Sequence, residues 1–599
     1  MSVGAWPGAE ERGAVGRVPL RRLSAVALAA LATLAASGCR AGRTRLGDEA
    51  SDRGAIVKLE RQLRSQRRGE AVGVAIGVTT DGIVGVPLTG GSSWSFDHPL
   101  TVRPDVAGTV VVGTGRDEIF CLRAATGALL WTRPIGGLEL VGIGDDGEMT
   151  AVSLASATGH GSTLLVVGRD GEVVRQLESD STLGKPAVVQ GIAFIPSDER
   201  QLLALDLIGG RLMGSLPVEH GLSTALVERQ TLYFGDQSLE RFDEQIAQRA
   251  PADLPRVSLP ATPLVSSPRF VLPPRDARAL LTGTLDRTRT LGLPTASGAP
   301  LALLGERAVV MSSRAVIGYQ GSTAEPRWWQ LLDRSPVASA AYQGGVAVCD
   351  AEGVITLLAE DSGHVEATLS LGRPVQSCLV QGGDLERVPS GAPRPVQGDQ
   401  LLAVLRAADP DLAIVQREAL LALDRLAPDA SIQVLEALAL DARAPVAVRA
   451  TLPERFGRHP LGPDRLLALV RPLNDPTDPS TRTSPLGGLV PILVALDERR
   501  AAPLLLAHLE NPFDEGPAVR AAAGGLASLA GPAERAGLEA FFRRHLGTHD
   551  AFRIDALGSV VHALRRLGSP RLRAHIAAAI ADPATAPEVR SKLESLAPP

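Results

Sequence analysis

The sequence predicts two unlike domains in tandem, an all-β propeller of seven or eight blades followed by an all-α solenoid. Three observations carry this. Short β-type strands recur in the middle of the chain with one fixed order of parts, a Pro- and Gly-rich stretch follows them, and beyond it the apolar period changes from about two residues to about 3.6. A chain of 599 residues is also too long for one core.

The N-terminus reads as an address. Leu23 to Ala36 is an apolar run preceded by Arg17, Arg21 and Arg22. It is too short to span a bilayer, for which ~20 residues are needed, and it suits the apolar region of a cleaved signal peptide. Its end, Leu34-Ala35-Ala36-Ser37-Gly38-Cys39, resembles the lipobox of bacterial lipoproteins, which implies removal of residues 1–38 and lipidation of Cys39. The lipid would be the membrane contact, since no later apolar run approaches ~18 uninterrupted residues. Arg40 stands where Asp would mark inner-membrane retention in enteric bacteria, so the expected address is the outer membrane, facing the periplasm. Residues 39–70, polar and Arg-rich, read as a tether with a short helix over Ile56 to Arg67.

The balance of 61 Lys+Arg against 66 Asp+Glu gives a net charge of -5, and -7 once residues 1–38 are removed. Without a basic excess, nucleic acid is not an expected partner. Cys121, Cys349 and Cys378 are odd in number and lack C-x-x-C spacing. Buried free thiols are the expected state of all three, with a Cys349–Cys378 pair the alternative if neighbouring strands bring them together.

Residues 71–383 carry the β repeat. Thr109 to Trp131, Ile192 to Leu216 and Gly345 to Leu369 each read strand, polar turn, strand, Gly-containing turn, strand, a β-meander. The second-turn glycines Gly127, Gly210, Gly321 and Gly363 fit units of about 37 to 42 residues, close to the ~40 to 45 of four-stranded blades. ATGALLW at Ala125 to Trp131 and ALDLIGG at Ala204 to Gly210 resemble the quinoprotein-type, or PQQ-like, propeller repeat, matching at Thr126, Gly127, Trp131, Asp206 and Gly210. The resemblance implies a closed ring in which the N-terminal strand completes the last sheet. Quinone-dependent dehydrogenases of that family add a Ca²⁺ site and often an adjacent Cys-Cys pair, and no two cysteines are adjacent here. Trp94 and Trp131 stand where repeat-packing aromatics are expected. Trp328 and Trp329 are consecutive on a strand, so their rings face opposite ways, which leaves one for an interaction surface.

Residues 384–400, with Pro389, Pro393 and Pro395, read as a linker between units that fold independently. From residue 401 to 599 Ala and Leu recur at helical spacing. Ala444-Pro445-Val446-Ala447-Val448-Arg449, Gly516-Pro517-Ala518-Val519-Arg520 and Ala586-Pro587-Glu588-Val589-Arg590 repeat one pattern, a Pro shortly before Val-Arg. It resembles the HEAT repeat, which implies a stacked solenoid whose Pro starts the helix and whose Val is buried; an ordinary helical bundle is the alternative.

Three clusters look like sites without the chemistry of one. Gly142-Ile143-Gly144-Asp145-Asp146-Gly147 spells G-x-G-x-x-G, but two aspartates would repel a pyrophosphate and the segment continues the meander. His545, His549 and Asp550 surround Gly547 at a helix end and read as solvated capping residues. Asn474, Asp475 and Asp478 resemble half a calcium loop broken by Pro476 and Pro479. No catalytic, cofactor-binding or metal-ligating residue is expected, and no cofactor. The expected function is a non-enzymatic, lipid-anchored scaffold for other envelope proteins, with Arg565, Arg566, Arg571 and Arg573 as candidate partner contacts. A quinone-dependent dehydrogenase is one alternative. Another is an outer-membrane protein assembly factor, since the propeller lipoprotein of the β-barrel assembly machinery is similar in its anchored propeller.

Overall fold

The structure is a computed structural model. It describes residues 43–45, 71–241 with breaks at 157–160, 198–199, 219–221, 229–230 and 236–237, and the strands at 256–258, 278–282, 288–294 and 301–304. It continues with 307–320, 325–342, 345–383, 398–474, 485–511 and 515–596. The signal segment, Cys39, the helix expected over Ile56 to Arg67 and the turn glycine Gly321 lie outside the described residues.

Residues 71–383 form small antiparallel sheets, eight among the described residues. Sheets two, three and four begin at Val102, Leu138 and Ala187, and the inner strand of each lies against that of the next. Strand Ser377–Gln381, the last of this region, is the inner strand of sheet one, pairing with Val74–Val78 and through it with Ile83–Pro87 and Trp94–Phe96. Closure thus joins three N-terminal strands to one C-terminal strand, where the sequence suggested a single N-terminal strand completing the last sheet. The first and last strands of the region thus meet in one sheet.

Neighbouring sheets are locked by a repeated contact. The Trp328 ring sits over Gly318 of its own sheet and over the turn glycine Gly363 of the next, where an added Cβ would approach it to 2.2 Å in both cases. Its Nε1 donates to Glu360 O at 2.6 Å. Trp94 repeats this with Gly85, Gly127 and a 3.1 Å hydrogen bond to Ala124 O. Gly127, Gly210 and Gly363 have φ of +69°, +68° and +68°, so the turn demands glycine; at Gly127 and Gly363 the glycine also admits the ring, whereas at Gly210 it admits the Arg175 guanidinium. Trp131 is buried, as blade packing requires.

Cys349, in strand Gly345–Asp350 of sheet eight, and Cys378, in the closing strand, form a disulfide. This corrects the expectation of free thiols for these two, because the closing strand lies against sheet eight and brings Cys378 to Cys349. Cys121 is free and buried, and burial pushes its thiol well above the ordinary range.

The helical region contains α1 (Gly398–Arg406), α2 (Ala413–Leu423), α3 (Pro428–Leu440), α4 (Val446–Arg449), α5 (Leu452–Arg458), α6 (Gly462–Val470) and α7 (Leu486–Ala495). These are followed by α8 (Ala502–Glu510), α9 (Gly516–Leu529), α10 (Arg535–Arg544), α11 (Ala551–Arg566), α12 (Leu572–Ala581) and α13 (Pro587–Leu596). Helices α1, α3, α7, α9, α11 and α13 contact one another in succession and make one row; the helices between them pack against it. Val448, Val519 and Val589 of the Pro/Val-Arg segments are at most 2% exposed. Two of the arginines after them turn back: Arg449 donates to Ala444 O and Arg590 to Thr585 O, each five residues earlier, while Arg520 lies over the Phe552 ring. Polar ties recur at separations of 29 to 37 residues, among them Arg406 to Ala437 O, Arg465 to Glu436, Arg535 to Leu567 O and Lys592 to Asp555.

The two regions share a core. Val310, Ile317 and Trp329 belong to one apolar cluster with Leu401, Val404 and Leu405 of α1 and the helices beyond it. Gln400 sits at the seam, accepting from Trp329 N at 3.2 Å and donating to Ser362 O at 2.6 Å, and Arg314 pairs with Asp409 at 2.9 Å. Helix α1 therefore covers the outer edge of strand Glu325–Leu331, the protection an edge strand needs. At this seam the two regions meet in one apolar cluster, and the ring of Trp329 meets the chain's own helices.

Candidate functional site

Backbone groups along the inner strands need partners where one sheet meets the next. Arg103 and Asp105, two apart on strand Val102–Ala107, supply them in both directions. Arg103 Nη2 donates to Cys378 O of sheet one at 2.9 Å, and Asp105 Oδ2 accepts from Ile143 N of sheet three at 2.9 Å. Lys185 closes the cluster from the loop before sheet four, with Nζ 2.6 Å from Asp105 Oδ1. Burial draws the Arg103 guanidinium below its usual pKa, with Asp105 opposing. One residue set thus ties four consecutive sheets, chiefly through backbone groups, with Lys185 and Asp105 paired and Arg103 Nε buried without a hydrogen-bond partner.

The adjoining G-x-G-x-x-G segment has a packing reason. A Cβ on Gly142 would meet Lys185 Cβ at 2.7 Å, and one on Gly144 would meet Pro186 O and Val188 N at 2.8 Å. The first two glycines make room for the neighbouring inner strand. Gly147, at φ +90°, belongs to a turn. Between them Asp145 accepts from Thr109 N, Thr109 Oγ1 and Thr150 Oγ1. Burial raises its pKa while those hydrogen bonds hold it down.

An open groove of about 620 Å³ lies where sheets one and two meet, with His98 and Glu118 3.5 Å apart on its wall and Arg116 and Asp117 at its rim. Its mixed charges do not converge on one point. His545 and His549 do not converge either: His549 Nδ1 lies 3.1 Å from Glu588 Oε2, and Asp550 caps α11 by accepting from Phe552 N. Burial, then the charges of Arg553 and Arg544, lower the His545 pKa. Asn474 ends a short 3-10 turn, and Asp475 and Asp478 lie outside the described residues. Among the described residues no group of three or more His, Cys, Asp or Glu is placed to hold a metal ion.

The four candidate arginines divide into two kinds. Arg565 Nη2 donates to Leu596 O at the end of α13, and Arg566 donates to Ala527 O and Ala530 O at the end of α9. They neutralise the carbonyl ends of the helices on either side of α11. Arg571 and Arg573, in and just after the turn into α12, are exposed, as are Arg543 and Arg544. Sequence reading missed Gln400, Asp105 and Lys185. The rarity of Lys, at three in the chain, was a usable signal for the last.

No family model matches the chain, and no curated protein matches it. Solved structures are similar over about half of it. BamB from Moraxella catarrhalis is 18% identical over 49% of this chain and 84% of its own, with a TM-score of 0.26. The computationally designed Ika8 protein is 14% identical over 46% and 89%, with a TM-score of 0.33. Apo AztD from Citrobacter koseri is 10% identical over 53% and 99%, with a TM-score of 0.32. At these TM-scores the likeness assigns no function.

Proposed function

We propose that the chain is an exported, lipid-anchored scaffold, an eight-bladed propeller bearing a HEAT-like solenoid, that binds other envelope proteins without catalysis. The observation that carries this reading is the shared core at Trp329 and Gln400. It fuses two repeat-built surfaces into one rigid frame, the property a scaffold needs. The Cys349–Cys378 disulfide supports export, since such bonds persist in oxidising compartments. The anchor is tested directly: labelled fatty acid is expected to enter the wild type and not Cys39→Ser, and a labelled Cys39→Ser protein would sink the lipidation reading.

Partner contact is assigned to Arg571 and Arg573. Arg571→Glu with Arg573→Glu is expected to leave stability within about 0.5 kcal/mol, as for exposed surface changes. It should reduce crosslinking to partners in native membranes, most at low salt. Arg566→Glu is expected instead to cost about 1–2 kcal/mol in urea unfolding, since it loses charged hydrogen bonds and puts an acid at the end of α9. Unchanged crosslinking by the double variant across salt concentrations would move partner binding elsewhere.

A further inference from the structure

Strand Arg43–Arg45 lies parallel to Val173–Ser179, the outer strand of sheet three, with Arg43 opposite Gln176, Thr44 opposite Leu177 and Arg45 opposite Glu178. Cys39 is four residues before Arg43. Four residues extend no further than about 14 Å, and paired strands lie about 4.8 Å apart. If Cys39 carries the lipid, as proposed above, the outer edge of sheet three is held within about 20 Å of the bilayer surface.

The surface at this edge has its own apolar character. Val174, on the outer strand, is 38% exposed, and Ile208, in the next sheet's turn, is 62% exposed. Arg175 joins them, its Nε donating to Ile208 O at 2.8 Å. Exposed aliphatic side chains beside a guanidinium suit the headgroup boundary, where the apolar part enters and the charge stays at the water side. The helical region packs elsewhere, on sheet seven through Trp329 and α1, four sheets further along the series.

We infer that the rim bearing Val174 and Ile208 is the membrane-facing surface of the protein, and that the helical region is held on the opposite side, away from the lipid. The inference rests on the lipid-anchor reading and adds to it an orientation. The occupant of the rim is a lipid surface, because the paired strand leaves too little chain for the rim to sit far from the anchor.

The test uses the full lipidated chain in vesicles whose phosphatidylglycerol carries a headgroup quencher. A fluorophore is placed on Val174→Cys, Ile208→Cys or, in the helical region, Val446→Cys, which is 73% exposed. Quenching at Val174→Cys and Ile208→Cys is expected to exceed that at Val446→Cys at least about threefold, given the ~14 Å reach of the link. Equal quenching at the three positions, or stronger quenching at Val446→Cys, overturns the orientation. Fatty-acid labelling and vesicle flotation are read on the same samples. Protein that is labelled and floats but shows no difference sinks the orientation alone, whereas unlabelled protein that stays in solution sinks the anchor and the orientation with it.

Discussion

Trp328→Ala is expected to destabilise the protein by about 3–5 kcal/mol, read by urea or thermal unfolding, the range for truncating a fully buried large aromatic. The ring is 2% exposed and fills the space that Gly318 and Gly363 leave open on two sheets. Its removal leaves a cavity between sheets seven and eight and takes away the indole N–H from which Glu360 O accepts. Trp328→Phe separates the two contributions: it keeps most of the packing and is expected to lose about 1–3 kcal/mol, the cost of a buried polar group left unmade. Trp94→Ala should cost less, because Trp94 is only half-buried. Equal losses for Trp328→Ala and Trp328→Phe would assign the whole effect to the hydrogen bond and remove the packing argument.

Replacing Cys349 and Cys378 together by Ala is expected to cost about 3–4 kcal/mol, the chain-entropy value for a loop of their separation. That separation is 29 residues. The bond joins sheet eight to the strand that closes the series, so its loss should loosen closure first. Limited proteolysis should then cut early near Ser377–Gln381. A thiol reductant should bring the wild type down to the double variant and leave the variant unchanged. A wild type insensitive to reductant under unfolding conditions would show that the two thiols are not bonded.

The period change, the turn glycines and the Val-Arg segments were legible because each reflects a local requirement. A positive φ demands glycine at Gly127 and Gly210, and one apolar helix face demands Val519 and Val589 at their spacing. What escaped depends on segments distant in sequence. Gln400 reads as a linker residue until α1 is laid against Trp329, and the Cys349–Cys378 pair stays one of two alternatives until the closing strand is placed between Val74–Val78 and sheet eight. Arg565, Arg566, Arg571 and Arg573 are alike as sequence. Only the positions of the α9 and α13 ends separate the arginines spent on carbonyls from those facing solvent. The second and third glycines of the G-x-G-x-x-G segment show the converse, one pattern serving a close strand contact and a turn at once.

The joint composition of sheet one sets a timetable for synthesis. Strands Val74–Val78, Ile83–Pro87 and Trp94–Phe96 are among the first made, and their inner partner Ser377–Gln381 is made some 281 residues later. At ~5–20 residues per second, the three strands wait about 15–60 s with an apolar edge unpaired. During that interval the nascent chain carries an aggregation-prone surface that the finished molecule no longer shows. A chain stalled or cut before residue 377 would keep that surface indefinitely, so shelter during transit is a requirement written into the order of the strands.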